Sequence, residues 1–148
     1  MNIHRLIFVF AIAFVAAFFP LETFALTIDT QKVVTIVDEV VDGSMVGVGE
    51  KVTVDSTVRG DVIVAGGTVT VSGVVEGDVI AAGGNVVINA DIQGDLRAAG
   101  GTIELSGTVG KQVTIFGGTL TVKEGAKIGG DVIFGGGVVT LDGSVGRD

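Results

Sequence analysis

The sequence predicts an all-β protein, a right-handed β-helix (solenoid) of about six 17-residue rungs, and three observations carry this expectation. Paired glycines recur at a fixed interval. Aliphatic residues fall into columns on that same interval. Beyond the N-terminal segment the chain draws on Val, Ile and Gly, which suit stacked short strands and tight corners better than helices.

The glycine pairs Gly66-Gly67, Gly83-Gly84, Gly100-Gly101 and Gly117-Gly118 are spaced by 17 residues, and Gly136-Gly137 follows after 19. Alignment on them gives one column of Val52, Val69, Val86, Ile103, Leu120 and Val139, and a second of Val54, Val71, Ile88, Leu105, Val122 and Leu141. A third reads Val41, Val58, Val75, Ile92, Val109, Ile128 and Val145, and a fourth Met45, Val62, Val79, Leu96, Val113 and Val132. The excess of two residues falls in Lys123–Lys127, between the second and third columns, where a bulged corner leaves the core in register.

Within Thr68–Gly73 polar and apolar residues alternate, the mark of a strand with one buried face. Gly73, Gly77 and Gly83-Gly84 then punctuate three short strands per rung. Stacking at ~4.8 Å makes six rungs a rod ~29 Å long. Buried positions Val69, Val71, Val75 and Val79 step by two, four and four, which sets aside a left-handed helix of six-residue repeats. A calcium-binding nonapeptide roll is set aside as well, because no G-G-x-G-x-D block occurs.

The rungs occupy residues 50 to 148, preceded by an irregular N-terminal rung or cap at 26 to 49 and by a signal peptide at 1 to 25. In that last segment His4 and Arg5 precede an unbroken apolar run from Leu6 to Phe19, and Thr23-Phe24-Ala25 supplies the small residues of a cleavage site after Ala25. The run's 14 residues span only ~21 Å of a ~30 Å bilayer core. An uncleaved anchor is the alternative, and membrane contact is expected only in that case or if the natural chain continues beyond residue 148.

From Leu26 onward, 17 acidic residues less Glu22 leave 16, and 9 basic residues less Arg5 leave 8, so the net charge stays at −8. That balance disfavours nucleic acid and anionic lipid as partners. No cysteine is present, so neither a disulfide nor a thiolate metal site is available.

The segments Val58-Arg59-Gly60-Asp61-Val62, Val75-Glu76-Gly77-Asp78-Val79, Ile92-Gln93-Gly94-Asp95-Leu96 and Ile128-Gly129-Gly130-Asp131-Val132 resemble the V-x-G-D-V rungs of bactofilins, the polymer-forming cytoskeletal proteins of bacteria. The resemblance spans residues 41 to 148. It implies a right-handed β-helix and end-to-end polymerisation without nucleotide. Bactofilins are typically cytoplasmic, whereas this chain opens on an export signal, so the expected product is a polymer or stalk in the periplasm, at the cell surface or outside the cell.

Asp61, Asp78, Asp95 and Asp131 form the strongest polar ladder, interrupted at Gln112. Stacked carboxylates repel, and a bridging hard cation would relieve them, which makes the four a weak metal candidate. Lys111 and Gln112 break the strip, no second oxygen-rich column flanks it, and Asp after Gly ordinarily accepts turn hydrogen bonds. No metal or cofactor is therefore expected. The outward residues Thr68, Thr70, Thr102, Thr119, Thr121 and Thr140 could form an ice-binding array, but Lys51, Val87, Glu104 and Val138 interrupt it. Threonine also favours exposed strand faces on its own account.

Beyond His4 the chain has no His and no Cys, so imidazole bases and thiol nucleophiles are absent, and no catalytic residue is assigned. Carbohydrate-active β-helices gather acidic and basic groups on one face; here Arg97, Lys111 and the Asp ladder come closest, without aromatic sugar platforms. The expected function is structural and non-enzymatic, a self-associating module with itself as partner and envelope components as further candidates. Val139, Leu141 and Val145, which carry three columns almost to Asp148 with only Arg147 as a blocking charge, are the expected contact residues. A surface adhesion or spacer module, binding a ligand through an exposed side-chain ladder, is the alternative.

Overall fold

The computed structural model describes residues 24–27 and 33–146; the apolar run expected as a signal peptide lies outside the described residues, as do Arg147 and Asp148. The described chain is a parallel β-solenoid of about 7 turns with a spacing of ~17 residues, and it contains no helix. Its strands are β1 (Phe24–Thr27), β2 (Val33–Val41), β3 (Ser44–Val58), β4 (Val62–Val75), β5 (Val79–Ile92) and β6 (Leu96–Leu105). They continue as β7 (Thr108–Val109), β8 (Val113–Val122), β9 (Lys127–Ile128), β10 (Val132–Leu141) and β11 (Ser144–Val145).

Every strand lies parallel to the one a turn away, so like positions stack: Met45, Val62, Val79, Leu96, Val113 and Val132 follow one another in register. The turn beyond the six read from the columns comes from the N-terminal segment. There β2 pairs with Lys51–Val58 and β1 with Ser44–Gly47. A register shift between Val37 and Val40 explains why the columns fade in this stretch of sequence. The expected cleavage point after Ala25 falls within β1.

Four columns point inward as the alternation requires, with Val52, Val69, Val71, Val75, Val79, Leu96, Ile103 and Leu120 fully buried. Two more inward columns accompany them. Val64, Ala81, Ala98 and Ile115 line the interior between the fourth and first columns. Ser56, Gly73 and Ala90 stack between the second and third, a position where only small residues fit.

Sequence reasoning assigned three short strands to a rung, but β4 and β5 are each one strand of 14 residues. Between these two the chain leaves the ladder at Glu76–Asp78, and in later turns it does so a second time, at Ser106–Gly107 and at Lys123–Ala126, which gives two strands per turn there. At Gly66-Gly67 the inward residues stop alternating, with Val62 and Val64 two apart and Val69 five further on, which turns the strand through a corner. The excess residues do form a bulge: the Ala126 N–H donates to the Lys123 carbonyl at 3.1 Å and Gly125 takes a φ of 88°. Ile128 then pairs with Val109, so the core register survives.

Candidate functional site

The corner between successive turns carries the polar ladder, and its geometry follows from backbone hydrogen bonding. At the β4–β5 corner the Gly77 N–H donates to the Gly60 carbonyl one turn earlier at 3.1 Å. The next N–H, that of Asp78, points the same way and meets a side chain: it donates to Asp61 Oδ1 at 2.8 Å. Val79 then turns its N–H to the opposite side, onto the Asp95 carbonyl at 2.9 Å. Two consecutive donors thus face the preceding turn, and the carboxylate below supplies the acceptor for the second.

The arrangement repeats along the rod. The Asp95 N–H donates to Asp78 Oδ1 at 2.7 Å, and the Gln112 N–H to Asp95 Oδ1 at 3.0 Å. The series starts one turn earlier than the Gly-Asp motif shows, because the Asp61 N–H donates to Ser44 Oγ at 3.1 Å. Ser44 stands 17 residues before Asp61, so the period alone could have placed it in the ladder. The aspartates accept a hydrogen bond from the next turn, not from within their own, which departs from the ordinary role of Asp after Gly.

Glycine before the aspartate is set by the same packing. A Cβ at Gly77 would come within 2.7 Å of the Gly60 carbonyl and would strike the Asp61 carboxylate. Arg97 lies beside the ladder, with its guanidinium 3.4 Å from Asp95 and 3.9 Å from Asp78. Its exposure limits the pair to about 0–1 kcal/mol. Among the described residues no group of three or more His, Cys, Asp or Glu side chains is placed to hold a metal ion. Asp131 stands on the same corner column, beyond Gln112, at the start of the last turn.

The ladder gives a specific expectation. Asp78→Ala leaves the Asp95 N–H without its acceptor at a half-buried position, at a cost of about 1–3 kcal/mol. Asp78→Asn keeps an acceptor oxygen and loses less. Urea melts of the two variants check the order; equal melts would show that the carboxylate contributes charge and no hydrogen bond.

Val139, Leu141 and Val145 lie on the last described turn. Val139 is 47% exposed and Leu141 50%, although Leu120 and Val122 directly beneath them are fully buried. Val145, over Ile128, is half-buried. Among the described residues β10 has β8 as its one strand partner, so its far edge carries unpaired backbone groups beside these side chains. Ile133 and Val138 add exposures of 48% and 57% to the same turn.

At the other end Val33, Val37 and Val40 are exposed on β2. Val33 and Val40 were not singled out from the sequence; Val37, read there with Thr35 as an imperfect extension of the core columns, faces outward instead, because register gives the core positions to Val34 and Ile36. Comparison of the chain with family models, curated proteins and solved structures finds no match.

Proposed function

We propose that this chain is an exported, non-enzymatic structural protein of the bacterial envelope whose solenoids join end to end, as its resemblance to bactofilins implies. One observation carries the reading: the last described turn presents a strand edge and the exposed side chains of Val139 and Leu141, in columns that are buried from Val52 and Val54 to Leu120 and Val122. Unpaired parallel edges with apolar side chains are templates for a further strand. Each aliphatic side chain covered at a junction contributes about 1.5–3 kcal/mol, so several together offset an association cost of about 4–15 kcal/mol. The net charge of −8 makes copies repel at low ionic strength, and salt screens that repulsion.

Fractionation of cells expressing the full chain should recover it outside the cytoplasm. Sedimentation of the recovered protein should show species that grow with concentration and added salt. Leu141→Lys or Val145→Lys should shift that distribution toward monomer. A strictly monomeric protein at high concentration would overturn the proposal of self-association, and retention in the cytoplasm would overturn that of export.

A further inference from the structure

We propose that one flank of the rod is a lateral docking face for a second copy, the two rods lying parallel and face to face. The contact uses side chains on the outside of the turns and no strand edge, so it is separate from end-to-end joining. Composition, shape and charge support it.

The outward flanks of the solenoid differ in character. The flank before the Gly66-Gly67 corner carries Ile63 and Ala65, and on the turns that follow Ile80 and Ala82, Arg97 and Ala99, and Thr114 and Phe116. Val48 and Ile133 extend it on either side. The flank after the corner shows Thr68 and Thr70, Thr102 and Glu104, and Thr119 and Thr121, and a further one shows Asp91, Thr108 and Lys127. On the apolar flank Arg97 turns its guanidinium to the edge, 3.4 Å from Asp95 and 3.9 Å from Asp78. Its aliphatic stem stays among the apolar residues. Phe116 is 59% exposed and leans over Gly135, where a Cβ would meet the ring at 2.8 Å. Contiguous apolar patches of this kind mark interaction surfaces.

Shape identifies the occupant. Each turn sets one large and one small side chain two residues apart: Ile63 and Ala65, Ile80 and Ala82, Arg97 and Ala99, and in reversed order Thr114 and Phe116. A two-fold axis along the rod, lying between two facing copies, exchanges the two columns. On every one of these turns the large residue of one copy then meets the small residue of the other. The reversed turn obeys the same rule, because the exchange is indifferent to which position holds the larger group. Inverting one rod instead sets the alanine column against itself and the Ile63, Ile80 and Arg97 column against itself. That crowds one half of the contact and leaves a void in the other.

Charge selects the same arrangement. The Asp ladder runs along one edge of this flank, Asp61, Asp78 and Asp95 each standing two residues before Ile63, Ile80 and Arg97. With the rods parallel about that axis the two ladders lie at opposite edges, whereas inversion brings ladder against ladder and like charges repel. From Val48 to Ile133 the face measures about 14 Å by 29 Å, so the pair covers about 800 Å², the size of a weak and reversible interface.

Sedimentation of the full chain carrying Leu141→Lys, which blocks the end contact, isolates the lateral one. It should show a reversible equilibrium of monomer and dimer as concentration rises. Ala82→Ile sets isoleucine against Ile80 of the second copy and should weaken the dimer about tenfold or more, although it makes the flank more apolar. Adding Ile80→Ala restores large against small on that turn and should return the dimer. Circular dichroism verifies that both variants keep the solenoid, as expected of outward positions.

Spin labels on Thr53→Cys, Val87→Cys and Thr121→Cys, one per chain, read the orientation, since the natural sequence has no cysteine and these positions share one column on the neighbouring flank. Parallel rods give the three a common distance between copies; inverted rods cannot, and unequal distances would overturn the arrangement. A Leu141→Lys chain that stays monomeric at every concentration would overturn the lateral contact and leave end-to-end joining to its own test. Tighter association of Ale82 variants is covered by the same series: an Ala82→Ile chain that dimerises more strongly, or that floats with phosphatidylcholine vesicles while the parent chain stays monomeric, would assign the flank to unspecific apolar contact or to lipid and overturn the proposal.

Discussion

Val75→Asp and Leu96→Asp each abolish folding of the solenoid, as circular dichroism and urea titration should show. Val75 is fully buried between Val58 and Ile92, and Leu96 between Val79 and Val113. Neither column holds a cation or a side-chain donor to receive a carboxylate. Removing an ion from water without a partner costs several kcal/mol even after relaxation, against a whole-protein stability of about 5–15 kcal/mol. The interior leaves little room to relax, because each column residue is clamped by like residues above and below. Thr102→Asp provides the control: it places the same charge on an outward column between Asn85 and Thr119, and should change stability by no more than about 0.5 kcal/mol. Native-like melting of the two core variants would show that the columns face outward.

Gly100→Val should rank with them, and Gly101→Ala should not. A Cβ at Gly100 runs into the carbonyl oxygen of Gly83, one turn below, and into Val86 Cγ2 at 3.3 Å. The carbonyl belongs to backbone fixed in the parallel ladder, so relief requires opening the strand pair. Gly83→Val meets the Gly66 carbonyl at 2.5 Å and should behave alike. Ordinary overpacking costs about 1–3 kcal/mol, and a collision with paired backbone exceeds that range. At Gly101 the nearest atom is the Gly84 carbonyl at 3.0 Å, which a shift of a few tenths of an ångström accommodates. Urea melts that rank Gly101→Ala as the more damaging change would refute this assignment of roles within the pair.

The glycine pairs show how far sequence reasoning reached. Their spacing revealed the period, and their role as tight points was sound, but two physical causes were open: positive φ or close backbone approach. Among the described residues positive φ occurs at Gly43, Gly73 and Gly125, so the pairs serve close approach. Val69 and Val71 were legible because strong aliphatics recur on every turn. The column of Val64, Ala81, Ala98 and Ile115 was not, since alanine carries little hydrophobic signal and the column sits across the bend from its neighbours. The Asp ladder was visible as composition, yet its direction was hidden. Residue identity repeats in the same way whichever turn donates, and only the hydrogen bonds distinguish up from down.

The 17-residue register also governs how the molecule comes apart. Each turn touches only the turns beside it, so stability accumulates as a chain of nearest-neighbour terms and not as one shared core. Closing each loop costs nearly the same conformational entropy, because the loops have nearly the same length. The first closed turn has no neighbour to repay that cost; every later turn adds to an existing template. Folding is then a nucleation followed by elongation, and unfolding begins as fraying at the outermost turns. Amide protons around Val69, Val86 and Ile103 should therefore exchange last, and those of β10 and β2 first.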